Sequence, residues 1–177
     1  MARKQLAIYL CAGMEAEEKL GAGWRSNITP FLKDLNFEVW NPCEFEPEQL
    51  KGLKPNRLPD FYTDRKTGKK VVPTHWHELK MAKEPQFFKR FATYMNRIRS
   101  YDINLINRDM DILLVYWNER TGRGAGSHAE IEAAYKKGIP IYIVEESTMP
   151  AWLVVCATEL FDDFDEMKGF LIEEYGE

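Results

Sequence analysis

The stretch from Met110 to Glu145, MDILLVYWNERTGRGAGSHAEIEAAYKKGIPIYIVE, holds a complete strand–loop–helix–strand unit. Its first eight residues, MDILLVYW, form a near-continuous apolar run, which is typical of a strand covered on both faces of its sheet. A glycine-rich loop and a helix follow, and the helix is expected to end at Lys136-Lys137-Gly138, because cations and a glycine favour helix termination. The run IPIYIVE predicts a second strand. This order predicts two parallel strands joined by a crossover helix.

The rest of the chain continues this alternation, because short apolar runs predict strands and apolar residues at three- to four-residue steps predict helices. Pro30 is expected to kink or restart the first helix, and Pro150–Ala157 is compatible with either a strand or a buried helix. An irregular insertion is predicted at residues 43–84, with a small hairpin at Tyr62–Val72. The other predicted elements are strands at Leu6–Leu10 and Phe37–Pro42 and helices at Ala16–Leu35, Pro85–Asn107 and Asp163–Gly176.

The predicted fold class is α/β, with one domain over residues 1–177. Strands that alternate with helices predict a doubly wound, mostly parallel sheet of four to five strands, Rossmann- or flavodoxin-like, with helices on both faces. A length of 177 residues is enough to bury a substantial core.

The composition narrows the class of protein. Apolar residues make up 45% of the chain and the net charge is −4, so a globular protein is expected that binds neither nucleic acid nor membrane. Cys11, Cys43 and Cys156 are widely spaced, which favours a reducing, cytoplasmic location over a disulfide framework. His75 and His77 are a weak metal signal, so neither a metal site nor another cofactor is expected.

Ligands of such sheets bind at the carboxyl ends of the strands. Tyr9 and Gly13 lie at the end of the first predicted strand, and Asn41 follows the second. After MDILLVYW, Gly124 and Gly126 would let the backbone approach a ligand closely. We therefore expect the binding site at this edge of the sheet.

Glu130 has two interpretations. The sequence SHAE fits a capping box, in which Ser127 caps the helix and Glu130 folds back onto the backbone N–H of Ser127. Alternatively, Glu130 faces the binding edge and takes part in chemistry. The local sequence alone favours the capping box.

Asp102 interrupts the apolar stripe of the predicted helix Pro85–Asn107. Helical spacing places it four residues after Ile98, on the apolar face, where an unpaired carboxylate costs several kcal/mol. The helix could fray so that Asp102 caps a new one, or Asp102 could pair with Arg97 or Arg99. Alternatively, Asp102 and Glu130 lie at one cleft. Two acids so placed suit N-glycosidic bond chemistry, in which one carboxylate attacks the anomeric carbon and the other acid protonates the leaving base.

Three segments in this order resemble the nucleoside 2-deoxyribosyltransferase family, which includes related 2′-deoxynucleoside 5′-phosphate N-hydrolases. They are AIYLCAGM (Ala7–Met14), YDINLINRDMDILLVYW (Tyr101–Trp117) and GAGSHAEIEAAYKKGIPIYIV (Gly124–Val144). Together they cover about a quarter of the chain. The resemblance implies a small-molecule nucleoside or nucleotide and a free nucleobase as ligands, and a homo-oligomer with sites near the subunit interfaces.

The resemblance also implies roles for three residues. It places the family's nucleophile at Glu130, the carboxyl group that handles the proton of the base at Asp102, and the tyrosine that orients the nucleophile at Tyr9. The implied reaction is a retaining transfer in two steps through a glutamyl-deoxyribosyl ester, with no metal.

Two other functions stay open. Gly124 stands where several family members carry an acid or a serine, and Arg25, Arg123 and Ser127 could instead form a cationic rim for a 5′-phosphate. Hydrolysis of a nucleoside 5′-monophosphate by the same residues is therefore an alternative to transfer. A non-catalytic nucleotide-binding or sensing module is a second alternative, since a fold does not fix a function.

Overall fold

The computed structural model describes residues 4–14, 21–44 and 58–176, except the side chain of Trp76. The chain divides into two compact units, one formed by Met1–Phe45 with Asp102–Glu177 and the other by Glu46–Tyr101. In chain order, the described strands and helices are β1 (Ala7–Cys11), α1 (Ala22–Asp34), β2 (Glu38–Trp40), β3 (Tyr62–Thr63), β4 (Lys70–Val71), α2 (Pro85–Asp109), β5 (Ile112–Trp117), α3 (Ala125–Lys137), β6 (Ile141–Glu145), α4 (Ala151–Val154), β7 (Glu159–Phe161) and α5 (Phe164–Tyr175).

The first unit contains a five-stranded sheet in the order β2-β1-β5-β6-β7. All four neighbouring strand pairs are parallel, and Tyr9 of β1 lies beside Leu113 of β5. The α/β prediction is therefore confirmed. The chain passes from β1 to β2 on one side, while β5 lies on the other side of β1. This reversal places a crevice at the carboxyl ends of β1 and β5, where ligands of such sheets bind.

Strand alternation gives β1 two different faces. Ile8 and Leu10 point into an apolar core, whereas the buried Tyr9 and Cys11 point to the opposite face. The core is built from alternate residues of the central strands and from the inner faces of α1 and α5. Its buried members are Ile8, Leu10, Ile28, Leu32, Phe37, Ile112, Leu114, Tyr142, Val144, Phe161, Met167 and Leu171.

The second unit includes the predicted hairpin, which pairs β3 with β4 in antiparallel register. A 3₁₀ helix, Trp76–Met81, follows the hairpin. A small core of Tyr62, Leu79 and Ala82 packs against Phe87 and Phe91 of α2. The predicted insertion, residues 43–84, falls largely within this unit, and residues 45–57 lie outside the described residues.

Several element boundaries differ from those expected. Helix α1 runs through Pro30 without ending, and the part of its predicted range at residues 15–20 lies outside the described residues. The ambiguous segment Pro150–Ala157 contains only the short α4. Strand β7 was not expected, because only Phe161 of its three residues is buried. Within the described ranges, no helix is long and apolar enough to cross a membrane.

Candidate functional site

Tyr9 of β1 and Glu130 of α3 meet on the face of the sheet opposite the main core. The Tyr9 hydroxyl donates a hydrogen bond of 3.3 Å to Oε1 of Glu130. Tyr9 is 1% exposed and Glu130 is half-buried. A fixed donor therefore holds one oxygen of the Glu130 carboxylate.

Cys11 lies two residues after Tyr9 and so points to the same face of β1. Its thiol is fully buried and hydrogen-bonds the Glu130 carboxylate, and its Sγ lies 4.0 Å from the backbone oxygen of Ser127. Burial raises the pKa of this thiol well above its usual range, and the Glu130 charge raises it further. Cys11 therefore stays a neutral thiol and acts as a second donor to Glu130.

Asp102 is brought to the same site by α2. Burial is the main cause that raises the pKa of Asp102 to about 7, and repulsion from the Glu130 carboxylate adds to it. The charge of Asp102 in turn contributes to the raised pKa of Tyr9, after the larger effects of burial and Glu130. Asp102, Glu130 and Tyr9 are therefore one electrostatic group drawn from three elements.

Both simpler interpretations of Asp102 are wrong. Helix α2 is continuous to Asp109, so Asp102 does not cap a new helix. A neighbouring guanidinium would lower the pKa of Asp102, but within the described part of the chain the only groups that shift this pKa are the surrounding protein, through burial, and Glu130, and both raise it. Lys137 of α3 donates to the backbone oxygens of Ile106, at 3.0 Å, and Met110. This contact joins the end of α2 to α3 and so fixes the helix segment that carries Asp102.

The pKa values of the two carboxyl groups are shifted by different sets of neighbours. Burial raises the pKa of Glu130 above its usual range, and the hydrogen bond from Cys11, the charge of Arg25 and the hydrogen bond from Tyr9 offset only part of that rise. Burial and the like charge of Glu130 both raise the pKa of Asp102, and so both favour its neutral acid form. Of the two acids, only Glu130 has groups beside it that stabilise its charge, so Asp102 is the candidate for the general acid and Glu130 the candidate for the carboxylate nucleophile.

The capping-box interpretation of Ser127 and Glu130 is wrong, because α3 begins three residues earlier than it requires. Gly124 is the N-cap, and Ala125 is the first helical residue. Ser127 therefore lies inside the first turn and is 3% exposed. The Glu130 side chain is left to meet Tyr9 and Cys11.

Thr121 joins the loops that follow β1 and β5. Its buried hydroxyl accepts the N–H of Gly13 at 3.0 Å and lies 3.1 Å from the backbone oxygen of Tyr116, to which it donates. The side chain of Asn118 accepts the N–H of Thr121 at 2.8 Å. These bonds fix the backbone at the crevice between the two strands.

Gly13 packs so closely against this loop that it has no room for a side chain. A Cβ atom at Gly13 would lie 2.9 Å from Cα and 3.0 Å from N of Thr121, and 3.1 Å from the oxygen of Arg120. All three atoms are backbone atoms, so relief requires the loops to separate.

Gly13→Ala is therefore expected to lower the free energy of unfolding by about 1–3 kcal/mol. Urea unfolding checks this value. The control is Gly23→Ala in α1, where a Cβ meets nothing within 4 Å and alanine favours the helix. Equal stabilities of the two variants would contradict the close packing.

The predicted phosphate-binding rim of Arg25, Arg123 and Ser127 is not formed. Arg25 is fully buried and Ser127 is 3% exposed, so neither lines a rim. Arg123 is exposed and lies 4.0 Å from the carboxylate of Glu119.

Gly124 and Gly126 stay candidates for substrate contact. A Cβ at Gly124 would come no closer than 3.5 Å, to the oxygen of Thr121, and a Cβ at Gly126 would meet nothing within 4 Å. Packing within the described residues therefore does not require glycine at either position.

His75 and His77 stack on each other in the second unit, with ring centroids 5.4 Å apart. Among the described residues, no three His, Cys, Asp or Glu side chains are grouped so that they could hold a metal ion.

Asp102 is expected to lower the free energy of unfolding above neutral pH, where it is ionised. Its pKa of about 7 in the folded protein exceeds the ordinary aspartic acid value of 3.8, so the folded state binds more protons between these values. Stability is therefore lost as the pH rises from about 4 through about 7. Asp102→Asn cannot ionise and should be more stable than the wild type at pH 8, by about 1–4 kcal/mol, with little gain near pH 4.

Urea unfolding at pH 4 and pH 8 measures this difference. The exposed Asp109 at the end of α2 supplies the control, because Asp109→Asn should show no such pH-dependent gain. A stability difference between Asp102→Asn and the wild type that does not change with pH would contradict the burial of Asp102 as an acid.

Sequence reasoning missed Cys11 and Thr121 as parts of the site. The period of two along β1 could have identified Cys11, because it shares a face with Tyr9. Thr121 had no such signal, because its contact with Gly13 joins residues 108 positions apart.

Solved structures with the same fold exist. A 2-deoxyribosyltransferase from Bacillus psychrosaccharolyticus is 16% identical, with a TM-score of 0.55, and the match covers 92% of this chain and 90% of that chain. A 2-deoxyribosyltransferase from Leishmania mexicana is 12% identical, with a TM-score of 0.54 and coverages of 96% and 99%. No protein-family model and no curated protein sequence matches the chain. These likenesses establish the fold.

Proposed function

We propose that the protein cleaves the N-glycosidic bond of a 2′-deoxynucleoside and transfers the sugar to another nucleobase. The observation that carries the proposal is the group of Glu130, Asp102 and Tyr9, in which two carboxyl groups from different helices interact across one site and one of them has a pKa of about 7. The position of the group beside the carboxyl end of β1 supports it, and so does the fold shared with two 2-deoxyribosyltransferases.

In the first step of the proposed reaction, a carboxylate oxygen of Glu130 attacks C1′ of the sugar. The bond between C1′ and the nucleobase breaks, and Asp102 gives its proton to the leaving base. The product is an ester between Glu130 and the 2-deoxyribosyl group. The Tyr9 hydroxyl and the Cys11 thiol hold Glu130 in place for this attack.

In the second step, a nitrogen of another nucleobase attacks the same carbon and the ester bond breaks. The Asp102 carboxylate takes the proton that this nitrogen loses, and Glu130 returns to a carboxylate. Two displacements at one carbon retain its configuration. Glu130, Asp102 and Tyr9 need no metal for these steps.

Incubation with deoxyinosine, with and without free adenine, tests the proposal. Formation of deoxyadenosine supports transfer. Release of hypoxanthine at the same rate with or without adenine would assign hydrolysis by the same residues, and binding without turnover would assign a sensing module. The same assay with deoxyinosine 5′-monophosphate distinguishes nucleoside from nucleotide substrates.

A further inference from the structure

Arg25 is an arginine of α1 buried directly behind the site. Its side chain is 0% exposed, and its guanidinium donates to the backbone oxygens of Leu10 at 3.2 Å, Ala12 at 3.1 Å and Gly21 at 3.0 Å. Leu10 and Ala12 flank Cys11 at the end of β1, and Gly21 directly precedes α1. One side chain therefore holds the end of the strand to the start of the helix.

The backbone that Arg25 holds is the segment that presents both donors to Glu130. Tyr9 and Cys11 alternate with Leu10 along β1, so fixing the oxygens of Leu10 and Ala12 fixes the directions of the hydroxyl and the thiol. An arginine is suited to this task because its planar fork of donors can bind several acceptors at fixed angles.

We propose that Arg25 is a positioning residue for Glu130, which holds the end of β1 in place and stabilises the negative charge of the Glu130 carboxylate. This inference rests on the proposed function, in which Glu130 attacks as a carboxylate. This role of Arg25 replaces the role in phosphate binding that its sequence position suggested.

The charges around Glu130 support this assignment. Tyr9 and Cys11 face it from β1, Asp102 from α2 and Arg25 from α1. Burial raises the pKa of Glu130, and Arg25 is the one cation among these groups that opposes the rise. Removing the positive charge should therefore let Glu130 take up a proton at a higher pH.

A pair of variants separates charge from hydrogen bonding. Arg25→Gln keeps donors but removes the charge, and Arg25→Lys keeps the charge but cannot reach three acceptors in a fork. The ionisation of Glu130 is followed by infrared difference spectroscopy of each protein against the same protein carrying Glu130→Gln. This titration needs no substrate, so it also gives a result if the proposed function fails in the deoxyinosine assay.

In Arg25→Gln, the midpoint of the Glu130 titration should rise by about one pH unit or more, and the acid limb of kcat/KM should move with it. In Arg25→Lys, the midpoint should stay near the wild-type value, while kcat falls about tenfold as Tyr9 and Cys11 lose their fixed positions. A folded Arg25→Gln variant with the wild-type midpoint would overturn the electrostatic role. If Arg25→Gln does not fold, wild-type kcat in Arg25→Lys would overturn the proposal.

Discussion

Glu130→Gln is expected to lower the turnover of a 2′-deoxynucleoside by about 10⁴-fold or more while the protein stays folded. The amide has nearly the same shape as the carboxylate, but it cannot form the glycosyl ester. Tyr9 can still donate to the amide oxygen, so the packing of α3 on β1 should persist. Turnover is measured as release of free base under single-turnover conditions, and folding by circular dichroism.

Glu132→Gln is the matched control. Glu132 lies on the same helix, two residues on, and its carboxylate forms an ion pair of 2.9 Å with Lys136 at the surface. Losing such a pair costs at most about 1 kcal/mol, and turnover should stay at the wild-type level. A Glu130→Gln variant as active as the control would exclude Glu130 as the nucleophile.

Asp102→Asn is expected to lower kcat/KM by about 10²–10⁴-fold, because the leaving base would lose its proton donor. With a pKa of about 7, Asp102 is mainly the acid below neutral pH and mainly the carboxylate above it. In the wild type, kcat/KM should therefore fall as the pH rises through about 7. The asparagine has no such ionisation, so the residual activity of the variant should lack this alkaline limb.

A pH series of kcat/KM for the wild type and Asp102→Asn measures the effect. A 2-deoxyriboside whose leaving group needs no proton, such as p-nitrophenyl 2-deoxyriboside, should be cleaved by both proteins at similar rates. An unchanged alkaline limb in Asp102→Asn would assign that ionisation to another group, and near-wild-type activity would exclude Asp102 as the acid.

The central sheet could be predicted because its strands are strongly apolar. β1, β5 and β6 each lie within a short apolar run, and the end of α3 at Gly138 was marked by two lysines and confirmed by a φ of 77°. β7 could not be predicted, because two of its three residues are exposed and only pairing with β6 makes them a strand. The local apolar pattern thus identified every strand of the sheet except the edge strand β7.

The candidate site was predictable only in part. Asp102 was conspicuous because it interrupts an apolar stripe, whereas Glu130 looked like an ordinary capping residue until the start of α3 was known. Arg25 was misassigned because its partners are backbone oxygens, which no side-chain pattern reveals. A contact that depends on backbone geometry can be read only from the fold.

The most direct test of the account is to trap the ester on Glu130. A nucleoside with fluorine at C2′ slows both steps, because fluorine disfavours the positive charge that develops on the sugar. Mass spectrometry of the digested protein should then find the fluorinated sugar on the peptide that contains Glu130, and no sugar on the Glu130→Gln protein. Release of the base with no labelled protein, or a label on any other residue, would contradict the account.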